Sequence, residues 1–324
     1  MVYNFREENV TIKGEFDLGA TITIPEKAGD KMPAIVLVAG TGNGDRDGNI
    51  KSKKFNMNIY KDLAHFFAKL GFVTIRYDKR GVGESKGSHI ETSFNDLVED
   101  VIRNAKYLKD LDCVDKVILC GHSEGSILVA VANERYAVDG LIQIAGAGMC
   151  IRKALEFQNY LVSQEAKATK GLKGWIIRKQ VNEKNYLDRV NNMFDKCNST
   201  DKDVIRIQGM KTPAKWFREH DSYTDEIMGE LMKKANCPIL AITGDKDVQA
   251  NPEYIEKIKN FNEDHITAIL VPNMDHILKE YNGDLTVLNI MKQYKAELGK
   301  PLHEGFLMEI ENWINANKVN LTLK

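Results

Sequence analysis

Charge of one sign, paired cysteines and long apolar runs are all missing from this 324-residue chain. Its 45 basic and 46 acidic residues leave a net charge of −1, so there is no electrostatic case for a nucleic-acid or anionic-membrane partner. The five cysteines (Cys113, Cys120, Cys150, Cys197 and Cys237) form no C-x-x-C pair, which leaves zinc ribbons and thioredoxin-like redox motifs unsupported. No H-E-x-x-H or comparable constellation is present, so neither a metal nor another cofactor is expected. The start, MVYNFREENVTIKGEF, is soon charged and has no apolar h-region, so no signal peptide is expected. The longest apolar runs, such as Ala34–Ala39 and Ile127–Ala132, fall far short of the roughly 18 residues of a membrane helix. A soluble protein of a reducing compartment, the cytoplasm, is the expectation.

What remains is ordinary globular usage. Hydrophobic residues make up 43% and charged residues 28%, and a chain of this length buries a core without disulfides. Short Val- and Ile-rich runs recur at Ala34–Ala39, Val73–Tyr77, Val117–Cys120, Leu141–Ala145, Ile239–Thr243 and Ile266–Val271, each suited to a buried parallel strand. Between them, Ile59, Leu63, Phe66, Phe67 and Leu70 share one helical face. Phe94, Leu97, Val98, Val101, Ala105 and Leu108 share another. Strands alternating with helices predict an α/β fold with a mostly parallel sheet and helices on both faces. A weakly alternating stretch from about Val10 to Ile24 predicts an antiparallel hairpin at its edge.

The rhythm breaks between about Met149 and Ala235, where ~85 residues hold no convincing strand against about 4–6 for a plain connection. The expected division is a core of residues 1–148 and 236–324 with a helical cap insertion, 149–235, over a pocket. Leu187, Val190 and Phe194 make one short helical face there, and Thr224-Asp225-Glu226 reads as a helix start. A last helix, about His303 to Lys318, presents Phe306, Ile310, Trp313 and Ile314 on one side.

The chemistry is concentrated where an apolar strand runs into Gly121-His122-Ser123-Glu124-Gly125 and a helix begins at once. A sharp strand-to-helix turn lifts Ser123 above the sheet, glycines at 121 and 125 remove the collisions, and the helix N-terminus offers N–H groups. A serine hydroxyl needs a base oriented by an acid. Among seven histidines, His65, His122, His265 and His303 read as surface or packing residues, the side chain of His122 pointing away from Ser123. His89 and His220 stay open by position. His276 follows the final strand by a short loop at the sheet edge where α/β sites gather. The acid then comes from Gly244-Asp245-Lys246-Asp247. Asp275 is too close in sequence to His276 for an easy bond, and Asp247 lies further along its loop than Asp245. One oxyanion donor is expected at the Glu124 backbone N–H. The other is expected from the Gly-rich loop Gly40–Gly48, which carries no G-K-[ST] and so is not a phosphate loop.

With Gly40-Thr41-Gly42-Asn43-Gly44-Asp45-Arg46-Asp47-Gly48, Tyr77-Asp78-Lys79-Arg80-Gly81-Val82-Gly83-Glu84-Ser85, Gly121–Gly125, Gly244–Gln249 and Met274-Asp275-His276, the chain resembles the α/β-hydrolase superfamily. More narrowly, it is similar to bacterial serine carboxylesterases related to the serine aminopeptidase-like hydrolases. The resemblance implies Thr41 as the second backbone donor, also selects Asp247 as the acid, and gives Asp78, Arg80 and Ser85 a bracing role. Pro213-Ala214-Lys215-Trp216-Phe217 resembles a short cap motif. Trp175, Trp216 and Phe217 are the large apolar residues expected to bind substrate. The resulting expectation is an esterase acting on a small-molecule acyl ester through Ser123, His276 and Asp247. Peptidase, thioesterase or acyltransferase chemistry is the alternative, and a non-catalytic ligand-binding protein comes third.

Overall fold

The predicted hairpin and the six apolar runs form eight strands of one sheet: β1 (Phe5–Ile12), β2 (Leu18–Pro25), β3 (Met32–Val38), β4 (Val73–Tyr77), β5 (Val114–His122), β6 (Gly140–Ile144), β7 (Ile239–Gly244) and β8 (Ile266–Val271). The computed structural model describes residues 2–26, 31–50, 55–182 and 184–317, and only the backbone of Lys173. Across the sheet the order is β1-β2-β4-β3-β5-β6-β7-β8. β2 pairs antiparallel with β1 and β4, and the remaining neighbours are parallel. The expected edge hairpin is therefore present, and it extends beyond both predicted limits.

Alternation along β3 shows how the layers are divided. Ala34, Val36 and Val38 face one apolar cluster, while Ile35 and Leu37 face the other. The first cluster receives Phe94, Leu97, Val98 and Val101 of α2 (Phe94–Lys109) and Ile127 to Ala132 of α3 (Glu124–Arg135). The second receives Ile59, Leu63 and Phe67 of α1 (Ile59–Lys69), with Phe306, Ile310 and Trp313 of the last helix, Glu304–Ala316. Its expected final residue, Lys318, lies outside the described residues. Phe67 and Phe306 are fully buried, so truncating either to Ala costs about 3–5 kcal/mol. α2 starts in a capping box, Ser93 accepting from the Asp96 N–H and Asp96 accepting from the Ser93 N–H. No helix among the described residues is long and apolar enough to cross a membrane.

Between β6 and β7 the chain forms α4 (Ile151–Ala168), α5 (Gly171–Gln180), α6 (Tyr186–Asn198), α7 (Ala214–Asp221) and α8 (Asp225–Lys233). Thr224 caps α8 by accepting the Ile227 N–H at 3.4 Å. One expectation is corrected. The insertion does contain strands, a ribbon pairing Ile205–Ile207 with Met210–Thr212. Each strand is three residues long, too short for an alternation to register.

Candidate active site

Ser123 occupies the single residue between β5 and α3, with φ 56° and ψ −122°. A non-glycine residue holds such a backbone only where its surroundings enforce it. They do: the Ser123 N–H donates to the Ile144 carbonyl at 2.8 Å, and the single Ser126 hydroxyl proton is shared between the Ile144 and Gly121 carbonyls, 2.9 and 3.0 Å from Oγ. A Cβ at Gly121 would stand 2.1 Å from the Gly125 carbonyl oxygen, and one at Gly125 would stand 2.3 Å from that of Val38. Both glycines are therefore required by close approach.

The loops after β7 and β8 bring Asp247 and His276 together. Asp247 Oδ2 lies 2.8 Å from His276 Nδ1. The other oxygen, Oδ1, accepts the Gln249 and Ala250 N–H groups at 2.7 and 2.8 Å, which fixes the carboxylate's direction. The remaining candidates turn away. Asp245 accepts the Asn273 N–H, and Asp275 accepts from the Lys279 N–H and the Gln293 amide. With its Nδ1–H given to a carboxylate, His276 keeps the lone pair on Nε2.

The loop from Gly40 to Gly48 is held by its charged residues. Arg46 binds the Asp78 carboxylate through its backbone N–H and its guanidinium, and Asp47 accepts from Arg76 Nε at 2.7 Å. Ser85 Oγ donates to the Asp78 carbonyl at 2.6 Å, and Arg80 grips Asp100 of α2 with two bonds. Asp78 and Ser85 thus brace the turn that follows β4, and Arg80 ties that turn to α2.

A polar network that sequence reasoning missed lies beneath the loop. Lys79 Nζ donates to the Gly40 carbonyl at 2.7 Å and to Glu124 Oε2 at 3.0 Å. Glu124 Oε1 accepts Trp216 Nε1 at 2.7 Å and His220 Nε2 at 3.1 Å. Burial alone would raise the Glu124 carboxyl, but the Lys79 ammonium and His220 reverse it and hold it well below the usual range. Tyr60 Oη accepts the Gly40 N–H at 3.0 Å and lies 3.0 Å from His122 Nδ1. His122 is a packing residue as expected, buried against Tyr60 and His276. Burial lowers it to about 3, so it is neutral. Its Nε2 faces the His276 carbonyl at 2.9 Å, which can only accept; Nε2 therefore carries the proton and Nδ1 accepts from Tyr60.

Ser123, His276, Thr41 and Glu124 line one cavity of about 730 Å³, with Trp216 and Phe217 of α7 and apolar residues of α4 in its wall. Trp175 does not line it. The ring is half exposed on α5, with the Lys179 ammonium 4.0 Å from its centroid. The expectation that Trp175 binds substrate is corrected, because α5 turns this face to solvent.

Behind the histidine, burial pushes the Glu297 carboxyl up to about 8, with the hydrogen bond to Asp275 and its charge adding to the rise. Below its ordinary value of 4.5 both folded and unfolded chains hold this proton. Above that value only the unfolded chain releases it, so stability falls as pH rises toward and through about 8. Melting temperature should therefore decline from about pH 5 to about pH 9 less steeply in Glu297→Gln than in the parent. Parallel declines would show that Glu297 does not carry the dependence.

Against known proteins, the family described as serine aminopeptidase, S33, matches residues 55–280, more than two thirds of the chain. Esterase EstD of Thermotoga maritima is 26% identical over 302 residues, covering 90% of this chain and 64% of that one. The chain thus spans less than two thirds of that relative's length. Among solved structures, the proline iminopeptidase-related protein of Thermus thermophilus superposes with a TM-score of 0.59 at 17% identity, covering 98% of this chain and all of that one. Est1E of Butyrivibrio proteoclasticus, with ferulic acid bound, gives a TM-score of 0.56 at 17% identity, covering 89% and 98%. At such identities the likeness is one of fold.

Proposed function

Because the chain belongs to the serine aminopeptidase S33 family of α/β-hydrolases, we propose that it is a serine hydrolase that cleaves carboxylic esters of small molecules through an acyl-enzyme intermediate. The observation that carries this reading is the Asp247–His276 bond of 2.8 Å, on a cavity shared with the strained Ser123. His276 Nε2 takes the hydroxyl proton as Ser123 Oγ attacks the ester carbonyl, and Asp247 stabilises the imidazolium that forms. The backbone N–H groups of Thr41 and Glu124 receive the oxyanion. His276 then protonates the leaving alkoxide, and water repeats the cycle on the acyl-enzyme. No step calls for a metal, a cofactor, a nucleic acid or a membrane. Residues 149–235 act as the cap that walls the acyl pocket. The reading also assigns the protein to the cytoplasm, where its five free thiols stay reduced.

The charge lining the cavity favours an ester over a peptide with a free amino terminus. Lys79 and Glu124 are the only Lys, Arg, Asp or Glu residues among the described lining, and they are buried and paired with each other. An N-terminal ammonium needs a free carboxylate, and Glu124 already accepts three side chains. A panel of acyl esters, thioesters and aminoacyl amides tests this reading. Ester turnover with inert aminoacyl amides is expected, and the opposite pattern would make the protein a peptidase.

Phe217 is packed edge-on against Phe194 and Trp216 at the cavity wall. Phe217→Ala should open the pocket and shift the ratio of long-chain to short-chain ester turnover upward by about tenfold. An unchanged ratio with a lower melting temperature would reduce Phe217 to cap packing.

A further inference from the structure

Both proposed oxyanion donors converge on one buried ion pair. The Gly40 carbonyl and the Thr41 N–H belong to the same planar trans peptide and point in opposite directions. Lys79 Nζ holds that carbonyl at 2.7 Å, and Tyr60 Oη holds the Gly40 N–H at 3.0 Å. The peptide that carries the Thr41 donor therefore cannot rotate without breaking the Lys79 bond. The second donor is the backbone of Glu124, whose own carboxylate is the other partner of Lys79 at 3.0 Å. From the far side, Trp216 and His220 of α7 bind the same carboxylate at 2.7 and 3.1 Å.

We propose that Lys79 and Glu124 are positioning residues that set the two backbone donors of the oxyanion hole, and that α7 completes the setting when the cap is seated. This rests on the esterase reading above. Stability gives no adequate reason for such a pair. The Lys79 and Glu124 side chains are only 4% and 1% exposed. Removing two charges from water costs so much that an apolar pair of similar volume is often no less stable. An apolar pair would give the Gly40 carbonyl no donor and α7 no acceptor. The arrangement also ties specificity to chemistry, since the helix that walls the acyl pocket with Trp216 and Phe217 grips the residue next to the nucleophile.

The discriminating substrates are an ester and its thionoester, in which sulfur replaces the carbonyl oxygen. Sulfur is a poor hydrogen-bond acceptor, so the ratio of the two rates reports the oxyanion hole and little else. In Lys79→Met, kcat for the oxygen ester should fall by about 10²-fold with KM nearly unchanged. The thionoester rate should fall much less, so the ratio collapses. Lys79→Met leaves the Glu124 carboxylate buried without its lysine counter-charge, so the double variant Lys79→Met/Glu124→Gln, with no orphan charge, guards against a simple folding failure. It should melt near the parent and show the same collapse. Trp216→Phe, which removes the indole N–H together with the five-membered ring that carries it, should move the ratio in the same direction by a smaller factor. A folded double variant with the parent's ratio, or one that loses both substrates equally, would overturn the proposal. A parent protein that fails to turn over the oxygen ester, or does so as fast after Ser123→Ala, would overturn the esterase reading instead.

Discussion

Ser123→Ala should leave a folded protein whose ester turnover is lower by about 10⁴-fold or more. Nothing in the fold depends on the hydroxyl, because the elbow is held by backbone bonds and by Ser126. Alanine carries a Cβ like serine and meets the same φ of 56°, so the melting temperature should barely move. What is lost is the nucleophile, while the oxyanion donors and the acyl pocket remain and support only residual rate. Activity within about tenfold of the parent, far short of a triad loss, would show that another group attacks the substrate.

Asp247→Asn is expected to cost on the order of 10⁴ in turnover, for a reason visible in its contacts. Oδ1 accepts two backbone N–H groups, from Gln249 and Ala250. An asparagine must keep its amide oxygen there, which turns the NH₂ toward His276. The amide then donates to Nδ1 and drives the proton onto Nε2, so the imidazole can no longer take the serine proton. Asp245→Asn and Asp275→Asn should cost far less. The Asn273 N–H bound by Asp245 can equally meet an amide oxygen, and neither carboxylate touches the ring of His276. Turnover of the three purified variants decides the assignment. A near-normal Asp247→Asn would move the acid elsewhere.

Local signals made much of this architecture readable. Both faces of the inner strands are covered, so these strands stand out as unbroken apolar runs, and α2 shows all six of its predicted core residues buried. The Gly-x-Ser-x-Gly elbow is likewise local, since its glycines answer to contacts made by the elbow itself and by the adjacent β3. The polar network was not readable. Lys79 meets Gly40 across 39 residues and Glu124 across 45, Tyr60 meets His122 across 62, and Trp216 meets Glu124 across 92. Nothing near Lys79 in the chain distinguishes it from a surface lysine. Trp175 misled for the opposite reason. A large apolar side chain in an insertion reads as buried, yet α5 is short and its Leu172, Trp175 and Ile176 all face outward.

Ester cleavage requires Ser123 to be a nucleophile activated by His276, and a fluorophosphonate label read by intact mass and peptide mapping tests that directly. The reagent phosphonylates a serine only where a base removes its proton and an oxyanion site receives the developing charge. The parent should take up a single adduct, on the peptide containing Ser123, and His276→Ala should take up almost none in the same time. A folded parent that stays unlabelled, or one labelled at any other residue, would contradict the account.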